Sequence, residues 1–147
     1  YEVNTEDHDA PLTYSHCIDF PANYSKFMIR YDEVSKKYYS IASRVYDREK
    51  SGARNLLSLM VSDDLLHWDI LQDLYDFRDR DHKKVGLQYV DFFFEGDDIL
   101  YLCRTAINGA NNFHDANYST FHRIKNFRDR TMQSKPLMGE IPTTLER

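Results

Sequence analysis

Short apolar runs recur along the chain, and polar segments rich in Asp, Asn and Gly separate them. Runs that are rich in aromatic and β-branched residues and bounded by turn residues are typical of β-strands. Segment 65–77 could form one short helix, but the rest of the chain lacks the 3.6-residue period of a helix. The pattern therefore predicts an all-β protein. Its predicted strands are 27–31, 38–46, 55–61, a strand that begins at 67–71, 85–94, 99–104 and 117–124.

The order of strands and turns repeats at an offset of about 60 residues, within the range that indicates a repeat architecture. Asp32 and Glu95 each open a polar turn, and segment 65–68 corresponds to segment 124–127. Each unit is predicted to be a four-stranded antiparallel meander. Since both faces of such a sheet are apolar, each sheet needs neighbours, and radial stacking gives a β-propeller. A two-sheet β-sandwich is the alternative.

The repeat predicts how the chain is organised. Segments 21–80 and 81–132 are each expected to form one propeller blade. Residues 1–20 would be the end of a preceding blade or a connector, and residues 133–147 a connector or the start of the next blade. The complete propeller is expected to have five or six blades, so this chain would cover about two and would pack against the remaining blades of a longer parent chain.

Composition narrows the classes of partner and cofactor. The net charge of −5 argues against a nucleic-acid partner. The sequence has no run of about 18 apolar residues, so no membrane span is predicted. His, Cys and Asp show no metal-ligand spacing and there is no Gly-rich phosphate loop, so neither a metal nor a cofactor is expected. Cys17 and Cys103 are predicted to be buried free thiols, with a disulfide as the open alternative.

A family resemblance rests on several segments. The run from Ser62 to Trp68 resembles the S-x-D-L-x-x-W turn of furanosidase-type glycoside hydrolases and, one residue short and without its Gly, the Asp box of sialidases. This resemblance implies a structural role for Ser62, Asp64 and Trp68. Longer matches make the chain similar to the bacterial sialidase-like, BNR-repeat propeller proteins. These matches lie at 26–32, 85–91, 96–98, 104–106 and 114–124.

The resemblance implies a glycan as ligand and a secreted or periplasmic location. Fold similarity alone does not establish sialidase activity. The leading hypothesis is a glycoside hydrolase-like propeller that acts on a glycan, with a sialidase-like exo-glycosidase as its specific form. The alternative is a non-catalytic carbohydrate-binding propeller, and a bare interaction scaffold is a third. A glycosidase needs two carboxyl groups about 5–10 Å apart, or the Tyr and Glu pair of sialidases. No convincing pair of acid and nucleophile is evident in the sequence, so enzymatic activity stays open.

Meander geometry predicts which loops share a face. The start of the first strand and the loop after the second strand of each unit should lie on one face, with Glu95, Asp97 and Asp98 on the opposite one. Arg can hold a carboxylate with two hydrogen bonds, and His and Asp can act as general acid or base. The candidate substrate-binding residues are Gln88, Arg104, Arg54, Arg44 and Asn117. The candidate catalytic residues are Asp91, Asp115 and His114.

The candidate catalytic residues have simpler alternatives, and two polar residues nearby are not chosen as candidates. The loop that carries His114 and Asp115 is rich in Asn and Gly, as solvated turns often are. Asp91 stands among apolar residues in a strand, where it could face the propeller axis or bond to backbone amides as a buried carboxylate. Tyr118 and His122 alternate on one side of a strand, which favours packing over catalysis.

Overall fold

The structure is a computed structural model that describes residues 1–131 as two antiparallel β-sheets. The first sheet has four strands in the order β1-β2-β3-β4, and the second has three in the order β5-β6-β7. The strands of the first sheet are β1 (Ile29–Asp32), β2 (Lys37–Ser43), β3 (Leu56–Ser62) and β4 (Asp69–Asp76). Those of the second are β5 (Gly86–Glu95), β6 (Asp98–Ala106) and β7 (Tyr118–Ile124).

The apolar pattern locates these strands, and all-β architecture is confirmed. The predicted four-stranded meander is present in the first sheet, whereas the second sheet has three strands among residues 1–131. Segment 65–77 contains a turn and β4 rather than a helix. Short turns connect β1 to β2, β3 to β4 and β5 to β6, and each contains a residue with left-handed backbone: Lys36 (φ 58°), Leu65 (φ 67°) and Gly96 (φ 61°). Gly adopts this conformation without strain, which is why a Gly in a polar segment marks the turn between β5 and β6.

One apolar core lies between the two sheets, which pack face to face. Burial of this shared core is the main stabilising contribution that joins them, because neither sheet could otherwise remove that face from water. The first sheet contributes Tyr39, Ile41, Leu57, Leu59, Leu71 and Leu74. The second contributes Leu87, Val90, Phe92, Ile99, Tyr101, Cys103 and Ile124, together with Ile107 and Phe127 beside it.

Backbone contacts join the sheets at one end of this core. The amide of Leu87 donates to the carbonyl of Arg54, with an N···O distance of 2.7 Å. Residues Arg54 and Gly86 form an isolated parallel bridge, and the hydroxyl of Ser43 donates to the carbonyl of Leu87. The end of β2, the start of β3 and the start of β5 are therefore held together.

A buried ion pair joins the sheets at the opposite end. Arg128 donates from Nε and Nη2 to the two carboxylate oxygens of Asp32, at 2.8 and 2.7 Å. Asp32 is only 3% exposed, and it also accepts hydrogen bonds from the amide and hydroxyl of Ser35. Hydrogen bonding to Arg128 holds the pKa of Asp32 far below its usual range.

His122 lies in the core, as its position on the strand predicts. Its ring stacks on Tyr101 with a centroid distance of 4.7 Å, and Nδ1 lies 3.0 Å from the hydroxyl of Tyr75 in the first sheet. Nε2 lies 2.8 Å from the hydroxyl of Thr120. Burial lowers the pKa of His122 to about 4, so the imidazole is neutral near pH 7.

The turn after β3 has the capped geometry that its sequence implies. One carboxylate oxygen of Asp64 accepts hydrogen bonds from the amides of Leu66 and His67, each at 2.8 Å. Trp68 packs edge-to-face against Phe20 at 5.0 Å rather than between the two sheets. The carboxylate thus fixes the turn, and the indole anchors the segment that precedes β1.

The predictions about the cysteines and about the propeller have different outcomes. Both cysteines are free; Cys103 is buried, but the prediction of a buried Cys17 is wrong because that thiol lies in the exposed N-terminal segment. Within residues 1–131 the two sheets do not close into a ring, so the propeller and its blade boundaries remain predictions. The connector predicted at 133–147 lies outside the described residues. No helix among residues 1–131 has the length and apolar character needed to cross a bilayer.

Candidate functional site

The loop between β6 and β7 (107–117) is ordered by its own Asn side chains. Asn117 accepts from the amide of Ile107 at 3.1 Å and donates to its carbonyl at 2.8 Å, so its amide closes the base of the loop. The side chain of Asn112 accepts from the amides of His114 and Asp115 at 2.8 and 3.0 Å. Asn117, predicted to bind substrate, is therefore occupied in holding the loop.

Gln88 anchors this loop to the start of β5. Its side-chain amide donates to the carbonyls of Phe113 at 3.1 Å and His114 at 2.9 Å, and its oxygen accepts from the guanidinium of Arg54. Gln88 is 2% exposed. The close approach also requires glycine at position 86, because a Cβ there would lie 2.2 Å from the Phe113 carbonyl oxygen. Gln88 thus positions the site but is not open to a ligand.

Tyr89 lies at an irregularity in β5. The register of β5 against β6 shifts between Gln88 and Asp91, and Tyr89 has φ 54°. A left-handed conformation at an aromatic residue is strained, and such residues cluster at functional sites. A bulge also re-aims a side chain away from the strand's regular alternation. Here it directs a half-buried phenol toward the loop that follows β6.

Three cationic side chains converge on the ring of Tyr89. The guanidinium carbons of Arg104 and Arg54 lie 5.2 and 5.3 Å from the ring centroid, and Nζ of Lys26 lies 5.4 Å from it. These are cation–π distances. Hydrogen bonding with Arg54, aided by the positive charges of Lys26 and Arg104, lowers the pKa of the Tyr89 phenol.

These cations are not neutralised locally. None of Lys26, Arg54 and Arg104 forms a salt bridge with another residue in 1–131, although the whole chain carries a net charge of −5. Nε of Arg54 is buried and has no hydrogen-bond partner within the same residues. Lys26 and Arg104 are exposed. The group is therefore a local positive surface that solvent and ligands can reach.

His114 and Asp115 extend the site along the loop. Nε2 of His114 lies 3.2 Å from the hydroxyl of Tyr89, and its carbonyl accepts from Arg104 at 3.4 Å. Asp115 accepts from the side-chain amide of Asn112 at 2.6 Å, and its carboxylate lies 3.8 Å from Nδ1 of His114. A phenol, an imidazole and a carboxylate thus follow one another. We call Tyr89, Lys26, Arg54, Arg104 and His114 the Tyr89 cluster.

Two predicted site residues lie elsewhere. Arg44 forms two hydrogen bonds of 2.8 Å with the carboxylate of Asp73, a partner on β4 that the sequence order does not reveal. Burial raises the pKa of Asp73, but hydrogen bonds from Arg44 and Ser58 outweigh it and lower the pKa overall. Arg44 therefore braces the first sheet and does not contact the Tyr89 cluster.

The interpretation of Asp91 as a buried strand carboxylate is wrong. Its side chain is 65% exposed and forms an ion pair with Arg30 at 3.2 Å. The register shift at Tyr89 places Asp91 opposite Leu102, on the face of the second sheet that points away from the core. No sheet within residues 1–131 covers that face, so the carboxylate remains in water.

Several of the predicted site residues meet at the Tyr89 cluster. The structure brings Gln88, Arg54, Arg104 and His114 into contact, with Asp115 beside them. Glu95 and Asp98 lie at the other end of the second sheet, where both bind Arg123. Tyr89 was not predicted, since strand alternation carries no sign of a bulge. Lys26 directly precedes the predicted strand 27–31, and this position at the start of the first strand of its unit is the signal that could have identified it.

Residues 1–131 contain no group of three or more His, Cys, Asp or Glu side chains placed to hold a metal ion. Comparisons of the chain with models of known protein families, with curated proteins and with solved structures found no match.

Proposed function

We propose that the Tyr89 cluster binds an acidic saccharide, and that the chain is part of a glycoside hydrolase-like β-propeller that acts on a glycan. The observation that carries this proposal is the convergence of Lys26, Arg54 and Arg104 on one aromatic ring without a carboxylate partner among residues 1–131. A ligand that supplies the missing negative charge would complete the site.

The residue types fit a sugar that carries a carboxylate. Guanidinium groups bind carboxylates through paired, charge-assisted hydrogen bonds, which are stronger than neutral ones. An aromatic ring offers an apolar face with a polar tip, which suits the C–H face and the hydroxyls of a saccharide. Arg104 is the best placed to bind such a ligand, because it is exposed and its hydrogen bond to the His114 carbonyl is long, at 3.4 Å.

Hydrolysis would need more than this cluster. A glycosidase uses two acidic groups about 5–10 Å apart. Among residues 1–131, Asp115 is the carboxylate beside the cluster, and Asp91 is engaged by Arg30. In the sialidase-like form of the proposal, a further acid would come from another blade. The engagement of Asp91 favours the second candidate, a propeller that binds carbohydrate without cleaving it.

The fold part of the proposal is that the two sheets are neighbouring blades. Both sheets are meanders in which strand order follows sequence order, and they pack face to face. The ends of β2 and β6 and the start of β5 then contribute to one face, where the Tyr89 cluster lies. A closed two-sheet sandwich is the competing arrangement.

Binding of N-acetylneuraminic acid, with galactose as the neutral comparison, tests the proposal by isothermal titration. We expect Arg104→Ala to weaken binding of the acid at least 10-fold, because a lost hydrogen bond to a charged group costs about 1.5–3 kcal/mol. Arg123→Ala, at the opposite end of the sheet, is the matched control and should bind like the wild type. Unchanged affinity in both Arg104→Ala and Lys26→Ala would refute the site.

Cleavage is a separate readout. Release of 4-methylumbelliferone from its N-acetylneuraminic acid glycoside by the complete natural protein would support the exo-glycosidase form. Binding without release would support the non-catalytic form, and the site assignment would stand in either case.

A further inference from the structure

The face of the second sheet that points away from the core carries a group of exposed apolar side chains. Phe93 on β5 and Leu102 on β6 are each 51% exposed, and Phe121 on β7 is 60% exposed. Together with the buried Leu100 they line a groove, and the Arg30–Asp91 ion pair lies at the same groove. We call this surface the outer face. Contiguous exposed apolar surface of this kind marks an interaction site.

The strand pairing shows what this face corresponds to in the first sheet. The hairpins end at the equivalent pairs Asp32–Lys37 and Glu95–Asp98. Two positions further along the second strand of each hairpin stand Tyr39 and Leu100. This gives the first match between the two sheets.

The match continues across the face. Four positions past the hairpin end stand Ile41 and Leu102. Ile41 pairs with Leu59 on β3, just as Leu102 pairs with Phe121 on β7. Leu100, Leu102 and Phe121 therefore occupy the positions that Tyr39, Ile41 and Leu59 hold in the first sheet.

Their equivalents in the first sheet are all buried. Tyr39 is 3% exposed, Ile41 and Leu59 are fully buried, and all three pack against the second sheet in the shared core. The first sheet also has a face that points away from the shared core. Met60 lies on that face and is fully buried, so such a face is not always exposed. Leu102 and Phe121 are exposed although their equivalents Ile41 and Leu59 are buried, whereas Leu100 is 6% exposed and thus as buried as Tyr39.

We infer that the outer face seats a third antiparallel β-sheet, which presents to it an apolar face like the one that β5, β6 and β7 present to the first sheet. That face is rich in aromatic and aliphatic side chains, such as Val90, Phe92 and Tyr101. The inference rests on the blade arrangement proposed above and is independent of saccharide binding.

Lysine substitutions in the complete natural protein test this inference. Phe121→Lys and Leu102→Lys should each lower the melting temperature by about 5 °C or more, because they place a charge in a sheet–sheet interface. The matched control is Val34→Lys, which changes a residue that is 72% exposed in the turn between β1 and β2 and should shift the melting temperature by about 1 °C or less. The protein should have the mass of a monomer by light scattering.

Three results would overturn the inference. Face variants that melt like the control would mean that the outer face is in water. A dimer that Phe121→Lys dissociates would mean that a second copy covers it. If a variant fails to fold, radical footprinting of the wild type decides, and labelling of Phe121 at the rate of free phenylalanine would also contradict a covering sheet. None of these readouts depends on whether an acidic saccharide binds.

Discussion

Substitution of Asp32 by Asn should weaken the contact between the two sheets at the end away from the Tyr89 cluster and so destabilise the fold. The carboxylate of Asp32 is 4% exposed and accepts from Nε and Nη2 of Arg128, a residue 96 positions later in the chain. Asn keeps the shape of the side chain but removes its charge. It also offers an N–H group toward a guanidinium that can only donate.

The expected cost follows from burial. Removal of one partner of a buried ion pair typically costs about 3–5 kcal/mol, because the other charge stays buried and unpaired. Arg128 keeps Asp97 at 2.7 Å and its side chain is 18% exposed, so part of that charge remains compensated. We therefore expect Asp32→Asn to lower the free energy of unfolding by about 2–3 kcal/mol at pH 7.

The pH dependence gives the same prediction a second test. The pKa of Asp32 is lower in the folded state than in the unfolded state, so the stabilisation is complete above the unfolded value of about 4. It is lost as the pH falls below that value toward the folded pKa. The difference in stability between wild type and Asp32→Asn should be constant from about pH 5 to 8 and smaller at pH 3.

Urea denaturation at several pH values is the assay. Asp97→Asn is the control, since this carboxylate binds the same Arg128 but is 80% exposed, and an exposed pair contributes about 1 kcal/mol or less. If Asp32→Asn costs no more than Asp97→Asn, or if the gap to wild type is the same at pH 3 and pH 7, the buried link between the sheets does not stabilise the fold as described.

Three further predictions concern the core and the site. The pKa of His122 is lowered to about 4 by burial, so the unfolded state binds more protons below pH 6.5; stability should fall by up to about 3 kcal/mol from pH 6.5 to 4 in urea titrations, less so in His122→Gln. Gly86→Ala should displace the Phe113 carbonyl, lowering both the melting temperature and saccharide affinity; retention of both would contradict the packed loop. Asp91→Asn should leave saccharide affinity unchanged, and a 10-fold loss would place Asp91 in the site.

Sequence pattern predicts the strands well because each apolar run is bounded by a recognisable turn. The turn capped by Asp64 and the Gly96 turn both follow from local chemistry. The meander also places Arg54 and Arg104 on one face, but their convergence on one aromatic ring depends on how the two sheets pack and does not follow from the sequence.

Features that depend on register or on distant partners could not be predicted in this way. A bulge at Tyr89 changes which side chains face which way, and nothing in strand alternation signals it. Asp91 was misplaced for that reason. The ion pair of Arg44 with Asp73 could not be predicted either, because Asp73 lies 29 residues away and sequence alone does not show that the two residues meet.

The central claim is that the Tyr89 cluster binds the carboxylate of an acidic saccharide. Its most direct test compares an acidic saccharide with the same saccharide whose carboxylate is masked as a neutral ester. N-acetylneuraminic acid and its methyl ester would be titrated into the ¹⁵N-labelled protein and followed by NMR. The account predicts shifts at Gln88, Tyr89 and Arg104, with affinity for the ester at least about 10-fold weaker, because the ester cannot pair with the guanidinium groups. Equal affinity for both ligands, or shifts confined to the far end around Asp97 and Arg123, would contradict it.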